Sequence, residues 1–275
     1  MTGLTDLLSH GFIQRALIAG CFIAILCSTL GIFLVLKRLS LIGDGLAHVT
    51  FGSVAVGLLL RTHPFYTAVP IVMASALGIL KLMEKARIYG DAAIGIVSSV
   101  GIAGGIILAS AAGGFNVDLF SYLFGNILAI SPAEVIVSIA LSLALLCVVF
   151  FYYHELLSIT FDEESAKATG IRTDRINKVL VLLIALTVVL AMRVMGIMLV
   201  SALLILPPAT ALQVARGFKT TIIISSLSGV LAVISGIFAA FLLDLPAGGA
   251  IVGVAFGLFL AVFVAVRVKA HYDLS

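Results

Sequence analysis

Charge is scarce in this chain. Aspartate, glutamate, lysine and arginine make up only 11 % of its 275 residues, where soluble domains carry about 25 %. Such a sequence cannot clothe a water-soluble globule, and it is the opposite of the polar, charge-rich composition of disordered chains. Cysteine is rare too. Cys21, Cys27 and Cys147 lie singly in apolar stretches with no CxxC spacing, which excludes a disulfide framework and a thiolate metal site. A net charge of +3 is too small to argue for nucleic acid. Tryptophan is absent altogether, so any aromatic belt must come from tyrosine.

What the chain has in quantity is apolar surface. Hydrophobic residues reach 62 %, with 26 glycines, and mean hydropathy is +1.29. These values define an all-α, polytopic membrane bundle. Apolar stretches fall at about residues 12–36, 45–60, 66–83, 92–112, 134–152, 179–192, 195–214, 220–243 and 250–267. The second and sixth are short, so eight or nine spans are expected, in a single transmembrane domain over 1–275. The first stretch exceeds a signal-peptide h-region and reads as a retained span. Nine helices of about 20 residues would use roughly 180 positions, leaving no expected room for an ATP-binding or catalytic module.

With the N-terminus outside, alternation puts thirteen of the sixteen basic residues on one side and leaves Arg15, Arg61 and Arg193 on the other. Positive charge marks the cytoplasmic side, so the expected topology is N-out, C-in, with nine spans. The outer loop 113–133 has no Lys or Arg but carries Asp118 and Asn126, with Glu134 just beyond. That pattern suits a cation or a basic partner, and equally an ordinary loop that avoids outside basic charge.

The stretch Leu41–Gly52 places Asp44 and His48 inside a span. An ionisable group at the bilayer centre costs roughly 2.5–3.5 kcal/mol on insertion scales, so two within one span need a reason. The i, i+4 spacing sets both on one helical face, where a carboxylate and an imidazole can reach one divalent cation. A hydrogen-bonded structural pair and a proton relay fit the same spacing. Reckoned as helix from Arg38, His48 would lie about 15 Å deep, near the midplane, with Asp44 one turn below. Further ligands would have to come from other spans, with Asp118, Asp244, Glu134 and His63 as candidates.

Two more segments stand out. Phe161–Ile171, inside the longest polar stretch, reads as a short cytoplasmic helix. Asp162 to Glu164 favour its N-terminal dipole and Gly170 suits its left-handed stop, while Ala166 and Ala168 keep it thin. It suits a groove on a cytosolic partner, or simply a solvated interface. Pro207 and Pro208 interrupt the backbone bonding of a span, as a fixed kink or as part of a gate.

Taken in order, Ser40–His48, Asp118–Ala129, Phe161–Gly170, Val194–Ala211 and Asp244–Gly249 resemble the permeases of zinc and manganese ABC importers, the zinc-uptake branch especially. The resemblance covers about residues 10–265. It implies a type II importer fold in a bacterial plasma membrane. It implies a permease homodimer, two cytosolic ABC ATPase subunits that hold the ATP, and an extracytoplasmic metal-binding protein. The lipid bilayer is the remaining partner. The resemblance implies Zn²⁺ or, next, Mn²⁺ as the transported ion, with no permanently bound cofactor. It casts Asp44 and His48 as metal-pathway residues, with Asp118 and Asp244 as further candidates. It likewise implies that Phe161, Asp162, Glu164, Ala166, Ala168 and Gly170 belong to the helix coupled to the ATPase, with Pro207 and Pro208 as the expected gate or kink. A secondary metal/proton carrier would use the same pair without an ATPase. An intramembrane metalloprotease is disfavoured because no HExxH occurs.

Overall fold

The computed structural model describes residues 11–111, 125 and 130–272, and all its regular elements there are helices. They are α1 (Gly11–Leu36), α2 (Ile42–Leu59), α3 (Pro64–Lys85), α4 (Gly90–Ala111), α5 (Pro132–Phe151), α6 (Tyr153–Phe161), α7 (Glu163–Ala168), α8 (Thr173–Met195), α9 (Ile197–Val214), α10 (Phe218–Leu243) and α11 (Ala247–Tyr272). Eight are long and apolar enough to cross a membrane, and α9 contributes a shorter apolar helix, Leu199–Val214. The loop carrying Asp118 and Asn126 lies outside the described residues.

Helix ends sort into two groups. At one end, Lys37 after α1 contacts Glu163 of α7 and Asn177 of α8. Phe218, at the start of α10, gathers Phe33, Tyr153 and Phe161 at ring-centroid distances of 5.4, 5.9 and 6.1 Å. At the other end, Ala16, Val194, Leu199, Ile237 and Gly248 surround one small cavity, and His63, Glu134 and Val194 line another. The helices therefore alternate in direction, and the thirteen basic residues fall at the first end, as their grouping in the sequence required.

Burial separates a centre from a rim. The apolar windows of α1, α2 and α8 are 72, 67 and 67 % buried, whereas those of α4 and α11 are only 17 % buried. Small residues set the spacing at the centre. A side chain on Gly52 would strike the Gly101 carbonyl, and one on Gly101 the backbone of Val49, so α2 and α4 touch almost backbone to backbone, as small residues permit in membranes. Gly31 of α1 rests against the Leu204 carbonyl of α9 and the Pro208 ring. Proline has no N–H, so the carbonyl four residues before Pro208, that of Leu204, loses its helical partner. Having no side chain, Gly31 lets α1 pack directly onto that carbonyl.

Three sequence expectations shift. The sixth stretch, short in the sequence, is the long helix α8, because its first two turns are polar at the interface. The fifth span stops at Phe151, and a separate helix, α6, follows across Tyr152 with Leu156 and Ile159 buried. Phe161 is the last residue of α6, so the short cytoplasmic helix proper is only Glu163–Ala168.

Candidate metal site and cytoplasmic helix

Asp44 lies in the first turn of α2 and His48 one turn on. His48 Nε2 and Asp44 Oδ2 are 3.4 Å apart, and the side chains are 32 and 50 % exposed. That separation is too long for a tight hydrogen bond. It matches the distance, about 3.4 Å, between two donors that share one tetrahedral cation at the usual bond lengths. Ser201 of α9 donates to Asp44 Oδ1 at 3.2 Å, which fixes the carboxylate from behind while leaving Oδ2 toward His48. Gly43 and Gly45 flank Asp44 with no side chain, letting Leu204 and Ile94 close in on either side.

The pair lies nearer the basic end than a continuous helix from Arg38 would put it. α1 ends in a left-handed turn at Arg38 (φ 58°), with Leu39 N–H on the Leu34 carbonyl and Arg38 N–H on that of Val35. This is the Schellman arrangement. Helix resumes only at Ile42, so the rise to His48 is about 9 Å, in the half of α2 nearest the basic end.

The other candidate ligands stand elsewhere. Asp244 is the exposed left-handed cap of α10 (φ 52°, ψ 46°), at the end opposite the start of α2. His63 caps α3, its Nδ1 accepting the Phe65 N–H. Glu134 closes a capping box with Ser131 at the start of α5. Both line a cavity of about 340 Å³ at that same far end. Among the described residues no three His, Cys, Asp or Glu side chains come together, so one chain offers Asp44 and His48 as a two-donor site. Ser201 was not legible in the sequence as part of it, since a lone serine in an apolar helix carries no spacing signal.

At the basic end, α7 is short but firmly stopped at both ends. The Asp162 carboxylate accepts the Ser165 N–H at 3.0 Å, the N-cap bond that satisfies a first-turn donor. Gly170, at φ 91°, lets Ile171 N–H reach the Ala166 carbonyl while its own N–H reaches that of Lys167, both 3.1 Å. Nothing crowds Gly170, so its backbone angle alone demands glycine. Ala166 is buried against its own chain, whereas Phe161, Asp162, Glu164, Lys167 and Ala168 face outward.

An alternating membrane bundle with a half-exposed Asp–His pair and a capped helix projecting at its basic end is the shape of a transport permease driven from outside the membrane. The sequence matches the ABC 3 transport family over residues 9–266, and the chain belongs to that family. It is a multi-pass plasma-membrane transport subunit of a bacterial metal importer, and ATP hydrolysis resides on a separate chain. It is 35 % identical over 258 residues to the manganese transport system membrane protein MntC of Halalkalibacterium halodurans, covering 94 % of this chain and 88 % of the relative. It is 34 % identical over 252 residues to the manganese import system permease protein ScaB of Streptococcus gordonii, covering 92 and 90 %. A chain in the solved structure of PsaBC from Streptococcus pneumoniae in complex with Fab superposes with a TM-score of 0.82 at 34 % identity, covering 94 % of each chain.

Proposed function

We propose that this permease passes a divalent transition-metal ion, manganese foremost, from an extracytoplasmic binding protein to the cytoplasm, with Asp44 and His48 as its ligands on the way. The observation that carries the reading is the pair itself: two donors held about one cation's width apart, partly open, inside a membrane helix where ionisable groups are otherwise avoided. Zinc, favoured by the resemblance in the sequence, uses the same ligands. Manganese gains weight because relatives at 34–35 % identity carry manganese names.

Two donors hold an ion loosely, which suits a cargo that must leave. A second copy of the chain supplies two more, and the sparsely buried α4 and α11 are the faces through which two permeases pair. The basic end faces the cytoplasm by the charge rule. There α7 offers Asp162, Glu164, Ala168 and the Gly170 stop to an ATPase, while Ala166 keeps the helix close to its own bundle. Pro207 and Pro208 give α9, which holds Asp44 through Ser201, freedom to bend.

The test is uptake of radiolabelled manganese and zinc in cells lacking their own high-affinity importers. The chain is expressed with its ATPase and binding protein, as wild type, as His48→Ala and with a hydrolysis-dead ATPase. Loss of manganese uptake in both altered strains, at equal membrane abundance, supports the reading. Zinc uptake alone would restore zinc as cargo, and uptake that survives the dead ATPase would point to a secondary carrier.

A further inference from the structure

Three polar side chains from three elements close a ring at the basic end. Lys37, just past α1, donates to Glu163 Oε2 at 3.1 Å and to Asn177 Oδ1 at 2.6 Å. Asn177, in α8, donates through Nδ2 to Glu163 Oε1 at 2.7 Å. The Lys37 side chain is only 11 % exposed, whereas that of Glu163 is 46 % exposed, so the ring is anchored in the bundle at Lys37 and open to water at Glu163. Ring geometry uses both oxygens of Glu163 and both ends of the Asn177 amide.

The ring sits between two hydrogen-bonded segments. On one side, α7 is capped at both ends, so Glu163 moves with the whole helix. On the other, the turn from Lys37 to α2 is closed by hydrogen bonds: Lys37 N–H to the Phe33 carbonyl, Leu39 N–H to Leu34, Ile42 N–H to Leu39 and Gly45 N–H to Leu41, at 2.9–3.0 Å. Asp44 lies within that last turn. A displacement of α7 thus has a continuous path to the carboxylate, through a salt bridge and a hydrogen-bonded turn.

We propose that the Lys37–Glu163–Asn177 ring is the strut that carries movement of α7 into the first turn of α2, making these three positioning residues for Asp44. The proposal rests on the reading of α7 as the ATPase-docking helix. Docking rests on Asp162, Glu164 and Ala168; both carboxylate oxygens of Glu163 are instead engaged by Lys37 and Asn177, so its loss disconnects a bound ATPase rather than releasing it. A coupling network of this kind is sensitive to each member, and its members are non-additive.

The experiment uses the complete importer, with its ATPase and binding protein, in proteoliposomes, reading manganese transported per ATP hydrolysed for Lys37→Met, Glu163→Gln, Asn177→Leu and the double swap Lys37→Glu with Glu163→Lys. Expected is a fall of about tenfold in that ratio for each single variant, within the span measured for coupling networks, with the ATPase still co-purifying. The double swap recovers most of it, because the Asn177 amide can turn over and offer its opposite end to each exchanged partner. An unchanged ratio in the single variants, or a swap no better than they are, overturns the strut. So does loss of the ATPase from Glu163→Gln, which would make the ring a docking surface. A cysteine pair bridging Ala168→Cys to the ATPase separates the two readings. A cross-link with an unchanged ratio sinks the strut alone, and failure to cross-link in an active complex sinks the docking reading and the strut with it.

Discussion

At the residue scale, Ser201 and Asp44 make a sharper test than the metal pair alone. Ser201 binds the carboxylate oxygen turned away from His48, and outer hydrogen bonds of this sort orient ligands and tune their affinity. Ser201→Ala is expected to raise the metal concentration for half-maximal uptake about tenfold, with expression and maximal uptake close to wild type. Asp44→Asn keeps the shape and removes the charge, and uptake should fall by at least as much. Uptake against metal concentration in the two variants checks both. Asp44 and His48 were legible in the sequence because ionisable groups are conspicuous in an apolar run. Their distance from the basic end was not, because the turn at Arg38 depends on a non-glycine residue adopting a left-handed angle that composition does not announce.

At the scale of elements, α7 is the most exposed to single changes. Removing its N-cap with Asp162→Ala should cost about 1 kcal/mol, and Gly170→Ala about 1–2 kcal/mol for a side chain at positive φ. Both amounts are large for a helix of 6 residues. Each is expected to reduce the amount of ATPase that co-purifies, while thermal stability of the membrane bundle stays near wild type. The cap residues themselves could be read from Asp162 and Gly170. The boundary between α6 and α7 could not, since Tyr153–Phe161 is too mixed in pattern to be told from loop. Within the membrane, Gly31→Val must push Leu204 and Pro208 away. Overpacking against backbone costs about 1–3 kcal/mol or more, so a lower melting temperature in detergent is expected.

At the scale of the whole molecule, the alternation of helix ends makes topology testable. Cys21, Cys27 and Cys147 are free thiols, so a background in which all three are alanine is needed first. In it, Tyr66→Cys should react with an impermeant thiol reagent in intact cells, and Glu164→Cys only after the membrane is opened. The reverse pattern would invert the assignment of sides. The class, the spans and the basic side were all legible in the sequence, because lipid imposes length and apolarity on every crossing and charge sets direction. Pairing between helices was not. It depends on contacts such as Gly101 on Val49, which join positions far apart in the chain and leave no periodic trace.

The contact of Gly31 with Leu204 and Pro208 makes the choice of residue on α1 answer to the main chain of a distant helix. With proline at 208 the Leu204 carbonyl has no helical donor, and only a residue without a side chain at 31 lets α1 come close enough to cover it. Restoring an N–H at 208 would return that carbonyl to its own helix and remove the ring, but a side chain at 31 would still strike the backbone of Leu204. A library at position 31 should accordingly return glycine in a Pro208→Ala background as it does beside the proline, because what excludes a side chain there is main chain that no substitution on α9 takes away.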